Sequence, residues 1–260
     1  MYKRDYTLEE KANMWLDLRE IQNLMGRYVR SLMLKQEGDV FERFWSRFEG
    51  DVCYGVNEGW YTGRDEVEVY YKKLAENTAV RSQLIRDLFP EFLGAKSDEE
   101  IQGVGQMTVD GLSVPVLEVS GLGTTAKGVW LFVGADHRIL PNGPYTYAEN
   151  GYYAVDFTKE NTEWKIWHMQ RIVEAGGPQG RDWAVAESEQ KLPPVKEEFK
   201  ALEQLELPKP SHPAVLRERF YAGRPAPEKL RYPEPFYDFQ DTFSYGCEME
   251  GFDRYASSEW

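Results

Sequence analysis

Apolar residues recur at three- and four-residue spacing near the start of the chain. Met14, Leu18, Ile21, Met25, Tyr28 and Leu32 fall on one stripe of a long helix. Ahead of them, Thr7 and Glu10 make a capping-box pattern, in which two side chains satisfy each other's backbone N–H groups. Glu37-Gly38-Asp39 ends or bends this helix, and residues 40–48 read as a second, shorter one. Residues 52–56 are strand-like, and Trp60-Tyr61-Thr62-Gly63-Arg64 leads into a third helix predicted over residues 65–77, carrying Val67, Tyr70, Tyr71 and Leu74. The pattern then loosens. Leu84, Ile85, Leu88, Phe89 and Phe92 suggest a short helix before Pro90 and a lid-like segment after it.

From Gln102 the period changes to two. Strands are predicted over residues 104–109, 114–119 and 126–133, with a loop over 136–145. Two aromatic-rich strands follow within residues 146–173, joined by a polar turn. Helices first and antiparallel strands afterwards make an α+β pattern rather than alternating βα units. Gly176-Gly177-Pro178 marks a boundary, dividing a domain of residues 1–175 from an arm of residues 176–260. The arm is rich in proline (Pro193, Pro194, Pro208, Pro210, Pro225, Pro227), which removes backbone donors and precludes a regular sheet core. It still holds Phe236, Phe239, Phe243 and Tyr245, so an extended segment packed over the domain or a neighbouring subunit is expected rather than a disordered tail.

The last hairpin suggests a register. With Phe157 opposite Trp164, Asp156 faces Lys165, Val155 faces Ile166 and Tyr153 faces His168. The same exercise on the earlier strands sets Glu118 opposite Lys127. Both hairpins send charge outward and rings inward. The inward set is then Trp130, Phe132, Tyr153, Val155, Phe157, Trp164, Ile166, His168 and Gln170, with Trp167 outside and open to a subunit interface.

Composition narrows the function. The chain has 260 residues, 42% hydrophobic and 14% aromatic, enough for a substantial core with rings to spare. A net charge of −13 with no basic cluster argues against nucleic acid as a partner. The two cysteines, Cys53 and Cys247, make neither a metal-ligand spacing nor a disulfide framework. Three scattered histidines likewise give no metal spacing. No apolar leader pattern opens the chain and no run approaches the roughly 18 apolar residues of a membrane span, so a cytoplasmic protein away from membranes is expected. No glycine-rich phosphate loop stands in the right context.

Five segments carry a family resemblance: REIQNLMGRYVRSLM, GDVFERFWSRFEGDV, GWYTGRDEVEVYY, VPVLEVSGLGTTAKGVWLFVG and GYYAVDFTKENTEWKIWHM. Together they resemble the SnoaL-like branch of the nuclear-transport-factor-2-like superfamily over roughly residues 15–172. The resemblance implies a cone-shaped, strongly curved antiparallel sheet wrapped around the long first helix, with a ligand inside the cone. It also implies a homo-oligomer, dimer or trimer, built through the sheet. Relatives include dehydratases, isomerases, polyketide cyclases and cofactor-independent lyases, and some members bind without catalysing. Tyr28 matches the first-helix tyrosine of dehydratase-like members, whereas their aspartate would fall on Met33 and a strand histidine near Gln106. Part of the usual Asp–His equipment is therefore missing.

Two functional readings stay open. In the first, the protein is a cofactor-independent lyase or isomerase (dehydration, retro-aldol cleavage or deformylation, proton shift) acting on a bulky aromatic or polycyclic molecule. His168 would move the proton, as suits a side chain that titrates near neutrality, and Tyr153 and Tyr28 would stabilise an oxyanion. Trp130, Phe132, Tyr54, Trp60, Arg30 and Gln106 would contact the substrate. Each has a plainer reading: His168 and the tyrosines as hydrogen-bonded core residues, Arg30 as a solvated arginine. Asp136-His137 is a further candidate acid–base pair. In the second reading the cone is a non-catalytic module that binds a hydrophobic ligand or serves assembly.

Overall fold

The computed structural model describes residues 5–140, 143–178, 205–224 and 230–247. Helix α1 spans Leu8–Met33, with Thr7 and Glu10 closing the capping box foreseen from sequence. Its stripe buries Ile21, Met25 and Tyr28. A 3-10 turn at Glu37–Asp39 and a short helix α2, Val40–Phe44, follow. Strands β1, Cys53–Val56, and β2, Gly59–Thr62, form a hairpin that leads into helix α3, Gly63–Leu88. That helix runs past residue 77, where the sequence pattern stopped. Its inward stripe changes there from apolar to small polar residues, Asn77, Thr78 and Ser82, which are buried all the same. Thr78 donates to Glu37, and Ser82 accepts from the backbone of Gly103. Periodicity in hydrophobicity cannot register such a stripe. Two one-turn helices, α4 (Pro90–Leu93) and α5 (Asp98–Ile101), occupy the expected lid-like stretch.

Strands β3 (Gln106–Leu112), β4 (Val116–Val119), β5 (Thr125–Leu140), β6 (Gly143–Glu160) and β7 (Glu163–Pro178) complete the main sheet. The order is β3-β5-β6-β7-β1-β2-β8, where β8 is His212–Pro213 and β4 also pairs with β5. All described pairs are antiparallel except β1 with β7. The architecture is α+β, with α1 lying along the concave side of a curved sheet. The loop expected over residues 136–145 is instead the far end of the β5–β6 hairpin, with His137 opposite Thr146.

The register of the last hairpin corrects the sequence reading. The turn is tighter than supposed, pairing Glu160 with Glu163 around Asn161 and Thr162, both at positive φ. Phe157 therefore pairs with Ile166 rather than Trp164. A β-bulge then intervenes, since Asp156 pairs with His168 and leaves Trp167 as the extra residue. The consequence is a change of face. Trp164 and Ile166 point into the core, and after the bulge Met169, Arg171 and Val173 do so, not His168 and Gln170. Tyr153 faces Arg171. The Glu118–Lys127 pairing is as expected.

The described parts of the arm pack on the chain's own sheet. Ala214 and Leu216 donate to the backbone of Glu58 and Asn57, and Phe220 to that of Glu174. Gly121 and Leu122 donate to Phe236 and Tyr237. Residues 236–247 cover the outer face of β5, β6 and β7, so Lys127, Asp156 and His168 are buried although they point away from the core. Trp167 lies outside as expected, but Phe239 covers it with ring centroids 4.7 Å apart. It offers no open surface to a subunit. Pro193, Pro194, Pro225 and Pro227 lie outside the described residues.

Candidate active site

Between α1, α3 and the concave face of the sheet is a cavity of about 510 Å³. Its closed end is aromatic. Tyr54 from β1 and Tyr70 and Tyr71 from α3 form one wall, with Tyr54–Tyr70 centroids at 5.1 Å and Tyr70–Tyr71 at 5.2 Å. Tyr28 from α1 joins them through a hydroxyl–hydroxyl bond to Tyr71 of 2.8 Å. Burial pushes the Tyr28 hydroxyl far above its ordinary pKa, and those of Tyr54, Tyr70, Tyr71 and Tyr153 move up for the same reason. All five stay protonated near neutrality. In a hydroxyl pair one O–H is used up between the partners, so the other remains to donate elsewhere.

Beside the tyrosines lies a charged network. Tyr153 donates to Asp110 Oδ2 at 2.5 Å, and Arg171 Nε donates to the Tyr153 oxygen at 2.9 Å. Arg171 also pairs with both Asp110 oxygens at 3.3 Å and with Glu149. Its guanidinium rests on the Phe132 ring, 4.6 Å from the centroid. Asp110 sits opposite Gly134 on β5, and a Cβ at Gly134 would come 2.5 Å from Asp110 Oδ1. A side chain at 134 would displace the carboxylate.

Towards the mouth, Lys35 donates to Thr108 at 2.7 Å and stands 4.0 Å from Glu37. Thr108 donates to Asp136, which pairs with Arg138. Gln106 donates to the backbone of Thr78 at 3.1 Å and to Ser82 at 3.3 Å. Burial raises the Glu37 carboxyl and lowers the Lys35 ammonium in pKa, each partly offset by the other's charge.

Of the residues singled out from sequence, Tyr28, Tyr54 and Gln106 line this cavity. Tyr153 stands behind Asp110, its ring edge-on to Tyr28 at 6.2 Å. The others are elsewhere. Trp130 and Phe132 fill the core, packed on Phe157 and Tyr153 respectively. Trp60 is on the outer side of β2, because Tyr61 takes the inward position. Its indole lies over Gly55, where a Cβ would approach it to 2.7 Å. Arg30 is exposed on α1. Asp136 and His137 do not form a pair, since successive strand residues face opposite ways: Asp136 lines the cavity and His137 bonds Thr146 at 2.9 Å.

His168 is the largest displacement. Its Nδ1 meets Asp156 Oδ2 at 2.9 Å and its Nε2 lies 3.7 Å from Asp51, on the face under the arm. Trp167 stacks on it at 4.5 Å. Burial pulls the imidazolium pKa down, but the two carboxylates outweigh this and set the net direction upward. Asp156 is shared: Lys127 Nζ donates to Oδ1 at 2.6 Å, while Ser244 Oγ and the Tyr245 amide donate to Oδ2 at 2.8 and 2.7 Å. The Lys127 ammonium is capped by the rings of Phe239, Phe243 and Tyr245. These groups fasten the arm.

Asp110 and Arg171 were not found from sequence. The signal was the alternation Gln106, Thr108, Asp110 on β3, whose polar members point inward and whose Met107 points out half-exposed. That inverts the usual pattern because the interior at this level is hollow.

Among solved structures, the chain is similar to NTF2-like proteins. The hexachlorocyclohexane dehydrochlorinase LinA-type3 from Novosphingobium barchaimii is 15% identical, with 67% of this chain and 98% of that one covered and a TM-score of 0.44. The Kfla4162 protein from Kribbella flavida is 15% identical, covering 62% and 93%, at 0.45. An NTF2-like protein with a cystatin-like fold from Novosphingobium aromaticivorans is 14% identical, covering 76% and 95%, at 0.39. No family model and no curated protein matches the sequence. Among the described residues no helix is long and apolar enough to cross a membrane.

Proposed function

We propose that the protein is a cofactor-independent lyase or isomerase acting on a bulky, ring-bearing molecule held in the cavity. One observation carries the reading: Asp110, whose carboxylate side chain is only 6% exposed, shares a cavity with a pair of protonated tyrosine hydroxyls, Tyr28 and Tyr71. Asp110 takes a proton from an acidic C–H of the substrate. Charge then develops on a substrate oxygen, and the unused O–H of the Tyr28–Tyr71 pair donates to it. From that intermediate, a β-hydroxyl that takes the proton back from Asp110 leaves as water and completes a dehydration, and return of the proton to another carbon completes an isomerisation. In a retro-aldol step Asp110 instead takes the proton of the β-hydroxyl, the C–C bond breaks, and the same tyrosine pair meets the enolate oxygen. Tyr153 and Arg171 are positioning residues that hold the Asp110 carboxylate. Tyr54, Tyr70 and Leu74 supply the apolar wall.

The outward placement of His168 favours a second reading, a binding module without turnover, because no histidine lines the cavity among the described residues. The two are separated by solvent deuterium exchange, followed by NMR, on a panel of ring-bearing ketones and β-hydroxy carbonyl compounds. The enzyme reading expects exchange or elimination in the wild type and a loss of about 100-fold or more in Asp110→Asn. Binding without exchange anywhere in the panel leaves the module; undiminished rates in Asp110→Asn remove the carboxylate from the mechanism.

A further inference from the structure

Among the described residues five cations line the cavity, and four have carboxylate partners: Lys35 with Glu37, Arg138 with Asp136, Arg171 with Asp110 and Glu149, and Arg219 with Glu58. Arg171 takes two of the five lining carboxylates, so one cation is left over. That cation is Arg81. Among the described residues its guanidinium makes no hydrogen bond or ion pair, although it is only partly exposed and stands in the fields of Arg138 and of Asp136, the carboxylate that Arg138 already pairs. Burial and, after it, the Arg138 charge lower its pKa to about 10, with Asp136 offsetting a part. A half-buried guanidinium beside another one is costly unless an anion joins it.

Arg81 ends a stripe on α3 that faces the cavity through Tyr71, Leu74 and Asn77. At about 1.5 Å per residue it lies roughly 15 Å along the axis from Tyr71 and roughly 6 Å from Asn77. Asn77 Oδ1 is buried without a donor, its amide nitrogen being turned to the Glu206 carbonyl at 3.4 Å. Glu37 Oε2, also on the cavity, is in the same state. The stripe therefore passes from an apolar end, through an acceptor lacking a donor, to a cation without an ion pair of its own.

We infer that the cavity takes an elongated organic anion. Its ring system lies against Tyr71 and Leu74, a hydroxyl or N–H donates to Asn77, and its carboxylate or similar oxyanion pairs with Arg81. This rests on the reading above only in that both place the ligand in this cavity. The overall charge of −13 repels such a ligand at a distance, so its recognition has to be local.

The test is calorimetric titration with biphenyl-4-carboxylate and its uncharged counterpart biphenyl-4-carboxamide, which reads affinity and not turnover. Wild-type protein is expected to bind the carboxylate about 10-fold tighter or more, the effect of one charge-assisted hydrogen bond. Arg81→Gln abolishes that preference, Arg81→Lys retains part of it, and Arg30→Gln, on the exposed side of α1, leaves it unchanged. Equal affinities in the wild type, binding of neither compound, or a preference that survives Arg81→Gln overturns the inference. Equal affinities would leave the proton-transfer reading standing; a carboxylate preference without any exchange chemistry would leave the anion site standing alone.

Discussion

Asp156 and His168 face each other across β6 and β7, 2.9 Å apart, on the side of the sheet turned away from the cavity. Asp156 is fully buried and receives Lys127, Ser244 and the Tyr245 amide as well. The charges most noticeable in the sequence thus hold the arm down, and the cavity lies on the opposite face.

Removing the shared carboxylate should free the arm. Asp156→Ala leaves Lys127 buried without its counter-charge, and breaking a buried pair in this way costs about 3–5 kcal/mol. Urea unfolding should show a loss of that order, and amide exchange at Tyr245 should accelerate. Unchanged protection at Tyr245 would mean that the arm is held by its rings alone.

The same contact sets a pH dependence. His168 has its pKa raised above the ordinary 6.5, so its contribution is fully present below that value and is lost as pH rises through the folded value. Asp156 and Asp51 have theirs lowered, because their partners outweigh burial. Their contribution is present above the ordinary 3.8 and is lost as pH falls through the folded values. The arm is therefore held most firmly in mildly acidic solution. Protection at Tyr245 and Cys247, corrected for intrinsic exchange, should fall as pH rises above the ordinary histidine value, and His168→Gln should remove most of that slope. An identical slope in the variant would assign the titration to another group.

The tyrosine wall makes a spectroscopic prediction. Burial raises the hydroxyls of Tyr28, Tyr54, Tyr70, Tyr71 and Tyr153. At roughly pH 11, one unit above the ordinary phenol value, phenolate absorbance of the folded chain should fall short of the unfolded chain's by about five tyrosines or more. The chain has 16 in all. Full ionisation while the circular dichroism stays native would mean that this wall is open to hydroxide, and the proposed donor pair would lose its basis.

Local pattern alone determined much of this protein. The capping box and stripe of α1, strand β1, the Glu118–Lys127 pairing and the α+β order were legible because they depend on neighbours in sequence. Tyr28 and Gln106 were pointed to by the family resemblance and Tyr54 by its ring, and all three line the cavity. Other features needed the tertiary structure. A single extra residue, Trp167, reverses the side chains of β7 from His168 to Val173, up to a second register shift at Glu174, taking His168 out and bringing Arg171 in, and nothing local announces that bulge. Whether an inward position is core or cavity also depends on how far α1 and α3 stand from the sheet. Where they pack closely, rings such as Trp130 and Phe157 fill the space; where they part, Thr108 and Asp110 face inward at little cost because they bond Lys35, Asp136, Tyr153 and Arg171. Hydrophobicity reports exposure to water along a chain, and a polar cavity inside a fold breaks the equation between inward and apolar.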